Sequence, residues 1–259
     1  MSKLPVTTAA RYPISVESED ADVGTAAELV VALDVLQGQH DHLVLQQLRP
    51  HLAEILGGPK GLHAVLRVLA PDDQLYLVDA LGPDLRRVVR DALSLRDLLA
   101  ALADVRVEQR LLQTLGSPGL RALIGSAEEL AEVLEWVYGD CDRLVLDLLG
   151  IAFLKGLFQS GYDLSLVLHS LDKTRQQELL DEVLGWDGVP SLVRERRDLG
   201  HLLRALPGDL SQRLLSHVPA ERLRRIVGGD EGWHYLHRYL EADEAAYLRQ
   251  RLEVQSHAQ

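Results

Sequence analysis

The feature that most constrains this chain is an internal repeat, the first thing to seek in any sequence. A Leu-Gly pair, or a degenerate form of it, closes an apolar run at Leu48, Leu81, Leu115, Leu149, Leu184 and Val218, and Leu252 begins a partial last copy. The spacings are 33, 34, 34, 35, 34 and 34 residues. A second motif keeps the same period. Apolar residues at i, i+3, i+4 and i+7 mark one face of a helix. They recur at Leu29, Ala32, Leu33 and Leu36, at Leu62, Val65, Leu66 and Leu69, and at Leu95, Leu98, Leu99 and Leu102. The series continues at Leu130, Val133, Leu134 and Val137, at Leu164, Val167, Leu168 and Leu171, and at Leu199, Leu202, Leu203 and Leu206. Its seventh copy is Trp233, Leu236, His237 and Leu240.

Each unit reads as three parts. Helix a ends at the Leu-Gly pair, where Gly suits a left-handed position after the last turn. A short helix b follows Pro50, Pro83, Pro118 or Pro219; proline opens a helix without losing an interior hydrogen bond. A loop and helix c complete the unit. Asp72, Asp140 and Asp209 stand where the next helix a begins, and a carboxylate there faces the positive end of the helix. One unit alone cannot bury its apolar faces, but stacked units share a continuous core. The expected fold is all-α: a right-handed superhelical solenoid of about six and a half repeats of about 34 residues, each with two longer helices and one short one. It is placed at residues 26–252. Residues 1–25 read as an acidic flexible tail, and 253–259 as a frayed C-terminus.

Composition agrees with helices. The chain has 54 Leu against 5 Ile, 2 Phe and no Asn, and Leu is a good helix former, whereas β-branched and aromatic residues favour strands.

This layout resembles the helical-repeat superhelices of the armadillo, HEAT and tetratricopeptide kind, although the Trp, Tyr and Pro signature of the tetratricopeptide family is missing. The segment from Leu69 to Gly82 resembles the cytosolic N-terminal superhelix of bacterial magnesium transporters, whose membrane part has no counterpart here. The period and the order of short helix, loop and long helix also resemble the DNA-reading repeats of transcription-activator-like effectors. The paired base-reading loop residues of that family have no clear match. These resemblances imply an architecture and an extended binding surface.

The formal net charge is −12, which disfavours non-specific binding to nucleic acid or anionic membranes. One cysteine, Cys141, excludes a disulfide framework within the chain and suits a reducing cytoplasm. No signal-peptide stretch opens the sequence, and no run of about 18 apolar residues predicts membrane insertion.

Four groups are candidates for function. The first is a basic stripe on helix b and the loop after it, with Arg86, Arg87, Arg90, Arg121, Arg194, Arg197, Arg222 and Arg225 as expected partner contacts; Lys155, Arg196 and Arg224 lie on the same stripe. Arginine binds carboxylate or phosphate through two parallel hydrogen bonds, while a solvated, ion-paired face is the plainer account. The acidic tail, with Glu17, Glu19, Asp20 and Asp22, has the charge to cover such a ridge. The second group is two glycine loops, Gly57 to Gly61 and Gly228 to Gly232. Backbone amides at a helix start can hold phosphate, but neither loop carries a P-loop sequence, and both read as turns.

The third is histidine and cysteine. His234 and His237 lie three apart, and His40 and His42 flank Asp41. No spacing suggests a third ligand, so no metal is expected, and His237 reads as a core or cap position. Asp140 and Asp142 are expected to raise the Cys141 thiol pKa rather than activate it. The fourth is the C-terminal aromatic cluster of Trp233, Tyr235, Tyr239 and Tyr247. It reads as an end cap that doubles as a docking surface or homodimer contact.

No nucleophile, base and stabiliser come together, so the chain is not expected to be an enzyme and no cofactor is expected. The expected role is a cytoplasmic scaffold, adaptor or accessory subunit that binds another protein along its concave face or arginine-rich edge. The alternative is a nucleic-acid-binding repeat protein using the same arginines.

Overall fold

The structure is a computed structural model that describes residues 10–16, 19–36, 38, 40–102 and 104–253. Apart from one hairpin, the regular elements among those residues are helices, and successive helices pack on one another. The chain divides into two compact units. One comprises residues 1–123 and 136–145, and the other residues 124–135 and 146–259.

In the N-terminal unit the c helices are Ala26–Leu36, Pro59–Leu66 and Ala92–Ala101, each packed on the next. The a helices Asp41–Leu48, Pro71–Leu81 and Val105–Leu123 form a second row. The short b helices Leu52–Leu56 and Leu85–Val88 form a third. In the C-terminal unit the c row is Ala127–Leu134, Gly161–His169, Arg196–Ala205 and Asp230–Leu236, again each on the next. The leucines of the i, i+3, i+4 motif make these rows. Leu62, Leu66, Leu95, Leu99, Leu164, Leu168, Leu199 and Leu203 are all buried.

The Leu-Gly junction differs from the expected left-handed cap. Gly116 and Gly150 have φ of 58° and 75° with ψ of −179° and 153°. That region is open almost only to glycine. It turns the chain sharply, so helix b starts at once; at Gly116 the turn breaks Val105–Leu123 in two, just ahead of Pro118.

The extra residue between Leu149 and Leu184 also has a place. Lys173–Glu178 runs on into a π-helical turn at Leu179–Leu184, and a π-turn accommodates one residue more than an α-turn.

A third period emerges from burial. Asp41, Gln74, Glu108, Cys141, Gln176, Ser211 and Glu244 stand seven or eight residues before the helix a closures, and all are buried. A buried polar atom needs a partner, and the c helices end in carbonyls that need donors. Gln74 Nε2 donates to the Leu66 and Leu69 carbonyls at 2.7 and 3.2 Å. Gln176 Nε2 donates to those of Leu168, Leu171 and Ala205 at 2.7, 3.2 and 3.2 Å. Ser211 Oγ donates to the Leu206 carbonyl at 3.1 Å. Glu108 instead accepts the Tyr138 N–H at 2.9 Å and the Cys141 thiol.

Within the segment expected to be a flexible tail, two strands are described. Tyr12–Val16 (β1) and Glu19–Val23 (β2) pair antiparallel, Tyr12 opposite Val23 and Val16 opposite Glu19. The Gln47 side chain extends the ladder sideways: it accepts the Ser15 N–H and donates to the Ser15 carbonyl, both at 3.0 Å. Tyr12 stacks on His51 at 3.8 Å between ring centres and donates its hydroxyl to Glu54 at 2.7 Å. Glu17 and residues 254–259 of the expected frayed end lie outside the described residues.

Candidate functional site

Some arginines of the basic stripe brace the protein's own backbone, and others face solvent. Arg86 donates Nε and Nη2 to the Leu115 carbonyl at 3.2 and 2.9 Å. Four repeats further along the chain, Arg224 does the same to the Leu252 carbonyl at 3.2 and 3.1 Å. Leu115 and Leu252 both occupy the helix a closure, so this arginine caps the helix a end of the following repeat. Arg90 donates to the Gly57 carbonyl at 3.2 Å, and Arg87 pairs with Asp84 at 3.2 Å. Arg121 is exposed on helix b. Arg86 and Arg90, expected at a partner surface, are thus partly engaged by the protein's own backbone.

The C-terminal unit brings the other arginines together. Arg194, Arg196 and Arg225 line one cavity of about 320 Å³ with Glu195, Glu231 and the backbone of Gly228. Their placement follows from local sequence. In Ala220–Val227, Leu223, Ile226 and Val227 are buried, so Arg225 turns outward. Gly228 ends that helix in the left-handed region with φ of 63°. Arg194 is held by the buried Asp198, which accepts the backbone N–H of Arg194 at 2.9 Å, of Glu195 at 3.2 Å and of Gly161 at 3.1 Å. Arg196 pairs with Glu231 at 3.3 Å. The Arg194 and Arg225 guanidiniums make no ion pair or hydrogen bond among the described residues. Arg197 and Arg225 are exposed, Arg222 half-buried, and neither Arg197 nor Arg222 lines this cavity.

No family model, no curated protein and no solved structure matches the chain.

The glycine loops are turns. A Cβ on Gly232 would lie 1.6 Å from the Val227 carbonyl oxygen, and one on Gly61 would lie 2.0 Å from that of Leu56. Both glycines are there to let the c helix start directly against the end of helix b.

The aromatic residues fold inward. Tyr235 and Tyr239, 5.4 Å apart between ring centres, press on Gly200, where a Cβ would lie 3.1 to 3.2 Å from their ring atoms. Burial, then the Tyr239 hydroxyl, pushes the Tyr235 phenol above its ordinary pKa. Trp233 is half-buried, with the Arg249 guanidinium 4.6 Å over its ring. Tyr239 also lines a cavity of about 500 Å³ with Arg204, Arg238, Glu241 and Glu244.

His237 is exposed, so of the two expected positions, core or cap, it does not take the core one. It occupies the motif site that later repeats cover, and among the described residues no further c helix packs beyond Asp230–Leu236. His234 engages the Asp230 carbonyl at 2.8 Å. His42 lies 3.5 Å from Asp73 and 4.2 Å between ring centres from Tyr76. Among the described residues no three His, Cys, Asp or Glu side chains are grouped to hold a metal.

The Cys141 thiol is pushed up to about 12, in the expected direction but for a different leading reason: burial first, then Glu108, with Asp142 and Asp140 contributing less. The Glu108–Cys141 contact is what sequence reading missed. Its signal was present, since a polar residue recurs at this point of nearly every unit.

Proposed function

We propose that this chain is a non-enzymatic helical-repeat scaffold or adaptor. Its repeats are of the solenoid kind, and it binds an acidic segment of a partner protein at the arginine-lined cavity of the C-terminal unit. The observation that carries this reading is the pair of guanidiniums of Arg194 and Arg225, without partners among the described residues, facing one cavity beside Arg196. Two such groups on a chain of net charge −12 are a local reversal of sign. Planar guanidiniums match carboxylates through paired hydrogen bonds. Glu195 and Glu231 on the same rim disfavour a dense polyphosphate and favour a peptide in which carboxylates are interspersed with neutral residues. The single buried thiol of Cys141 suits a cytoplasmic setting.

The test is fluorescence anisotropy with a labelled acidic peptide, a lysine-rich peptide of equal length, and a labelled DNA duplex. The acidic peptide is expected to bind, and Arg194→Glu with Arg225→Glu to abolish binding at an unchanged thermal midpoint. Absence of acidic-peptide binding, or binding indifferent to the double variant, overturns the reading. So does tighter binding of the duplex that weakens by roughly 0.9 log units per log unit of salt for each phosphate neutralised.

A further inference from the structure

The N-terminal unit has a second surface, independent of the arginine cavity. Ala27, Val31 and Val35 follow one another at i, i+4 and i+8 on Ala26–Leu36 and so share one face. All three are exposed, Val31 at 62% and Val35 at 59%. The opposite face buries Leu29 and Leu33. Ile14 and Val23 of the hairpin form a side wall, and floor and wall enclose a cavity of about 470 Å³.

The repeat itself says what shape fits there. Each later c helix of this unit has another c helix on this side: Pro59–Leu66 has Ala26–Leu36, and Ala92–Ala101 has Pro59–Leu66. The hairpin packs chiefly on Asp41–Leu48 through β1 and so closes the a row. The corresponding place in the c row is the cavity. A helix of two to three turns matches the 11 residues of Ala26–Leu36, about 16 Å at 1.5 Å per residue.

Charge says which helix. On a helical wheel Asp34 lies beside the Ala27–Val31 edge of the stripe and Glu28 beside Val35. Asp22 adds a third carboxylate at the cavity. The Asp22 and Asp34 side chains have no hydrogen bond or ion pair among the described residues. Glu28 is held below its ordinary pKa, first by the Gly24 N–H, and it pairs with Arg11 at 2.8 Å.

We propose that this cavity docks an amphipathic α-helix of a partner protein, with an apolar i, i+4 stripe seated on Val31 and Val35 and lysine or arginine on its flanks. The probe is a fluorescein-labelled Leu/Lys helix of about 14 residues, long enough to cover the groove. It is compared with a scrambled peptide of the same composition and with a Leu/Glu helix of the same pattern. The Leu/Lys helix is expected to bind and the other two are not. Val31→Gln and Val35→Gln, both at exposed positions, are each expected to weaken binding about tenfold, with circular dichroism unchanged. Asp22→Asn with Asp34→Asn is expected to weaken it and to flatten its salt dependence. Equal binding of the scrambled peptide, or indifference to the valine variants, overturns the proposal. So does concentration-dependent self-association that the valine variants abolish, which would give the face to a second copy of the chain. Binding seen only after deletion of residues 1–9 would give it to the chain's own first residues, and also overturns it.

Discussion

Arg224 holds the Leu252 carbonyl through both Nε and Nη2, at 3.2 and 3.1 Å, in the same way that Arg86 holds Leu115. A planar fork with two parallel donors reaches a helix end that a lysine would meet with a single rotating charge. Arg86→Lys and Arg224→Lys are therefore expected to destabilise by about 1 kcal/mol each, reduced from the buried-bond figure because both side chains are partly solvated. Thermal midpoints should fall by roughly 2–4 °C. Arg87→Lys, whose partner is the exposed Asp84 three residues earlier, should change nothing measurable.

Gln176 presents one Nε2 to three carbonyls from two successive c helices. Gln176→Leu keeps the volume but removes the donor. The cost is expected to be on the order of 1–3 kcal/mol, read from urea denaturation midpoints at unchanged m-value. Gln74→Leu should cost less, because Gln74 serves the end of one c helix only.

Glu108 is a buried carboxylate whose pKa is raised, with burial the first cause. Its folded value lies above its unfolded value, so the folded state binds the extra proton. Its favourable contribution is full below the unfolded value, and it is lost as pH rises through the folded one. Glu108→Gln keeps an acceptor for the Tyr138 N–H and removes the charge. Denaturation measured at a series of pH values upward from about 4.5 should show the variant gaining on the parent as pH rises. Parallel curves would show that Glu108 has no shifted titration in the folded state.

Cys141 is fully buried with its thiol pushed up to about 12. The thiolate is the reactive form. Native protein at pH 8 is expected to leave a disulfide reagent such as DTNB unreacted, and denatured protein to consume one equivalent. Glu108→Gln should not expose it, since burial rather than Glu108 is the leading cause.

The helix rows were legible because leucine at i, i+3, i+4 is both the sequence signal and the physical cause of stacking. Leu95, Leu99, Leu164 and Leu168 were readable as core for that reason. The hairpin was not legible. Its second strand, Glu19–Val23, is mostly Glu, Asp and Ala, residues poorly suited to strands. What makes it pair is distant in sequence: the Gln47 amide on Ser15 and the His51 ring on Tyr12. The arginine stripe was legible as composition but not as roles. Arg86 and Arg194 look alike in sequence. Only the position of the Leu115 carbonyl and of the Asp198 carboxylate tells the brace from the free charge. For His237, core and cap could not be told apart, because periodicity assigns a face without saying whether anything covers it.

The π-turn at Leu179–Leu184 bears on how such a chain changes length. One surplus residue inside a helix would rotate everything after it by about 100° and throw each later apolar face out of phase. Here the surplus is absorbed within helix a, and Val189–Leu192 and Arg196–Ala205 arrive with Val189, Leu199, Leu202 and Leu203 buried. Repeat length in this protein is therefore elastic by single residues, while the phase of the stack is not. Growth or loss of one residue is tolerated where a helix can widen, without any loop being remade.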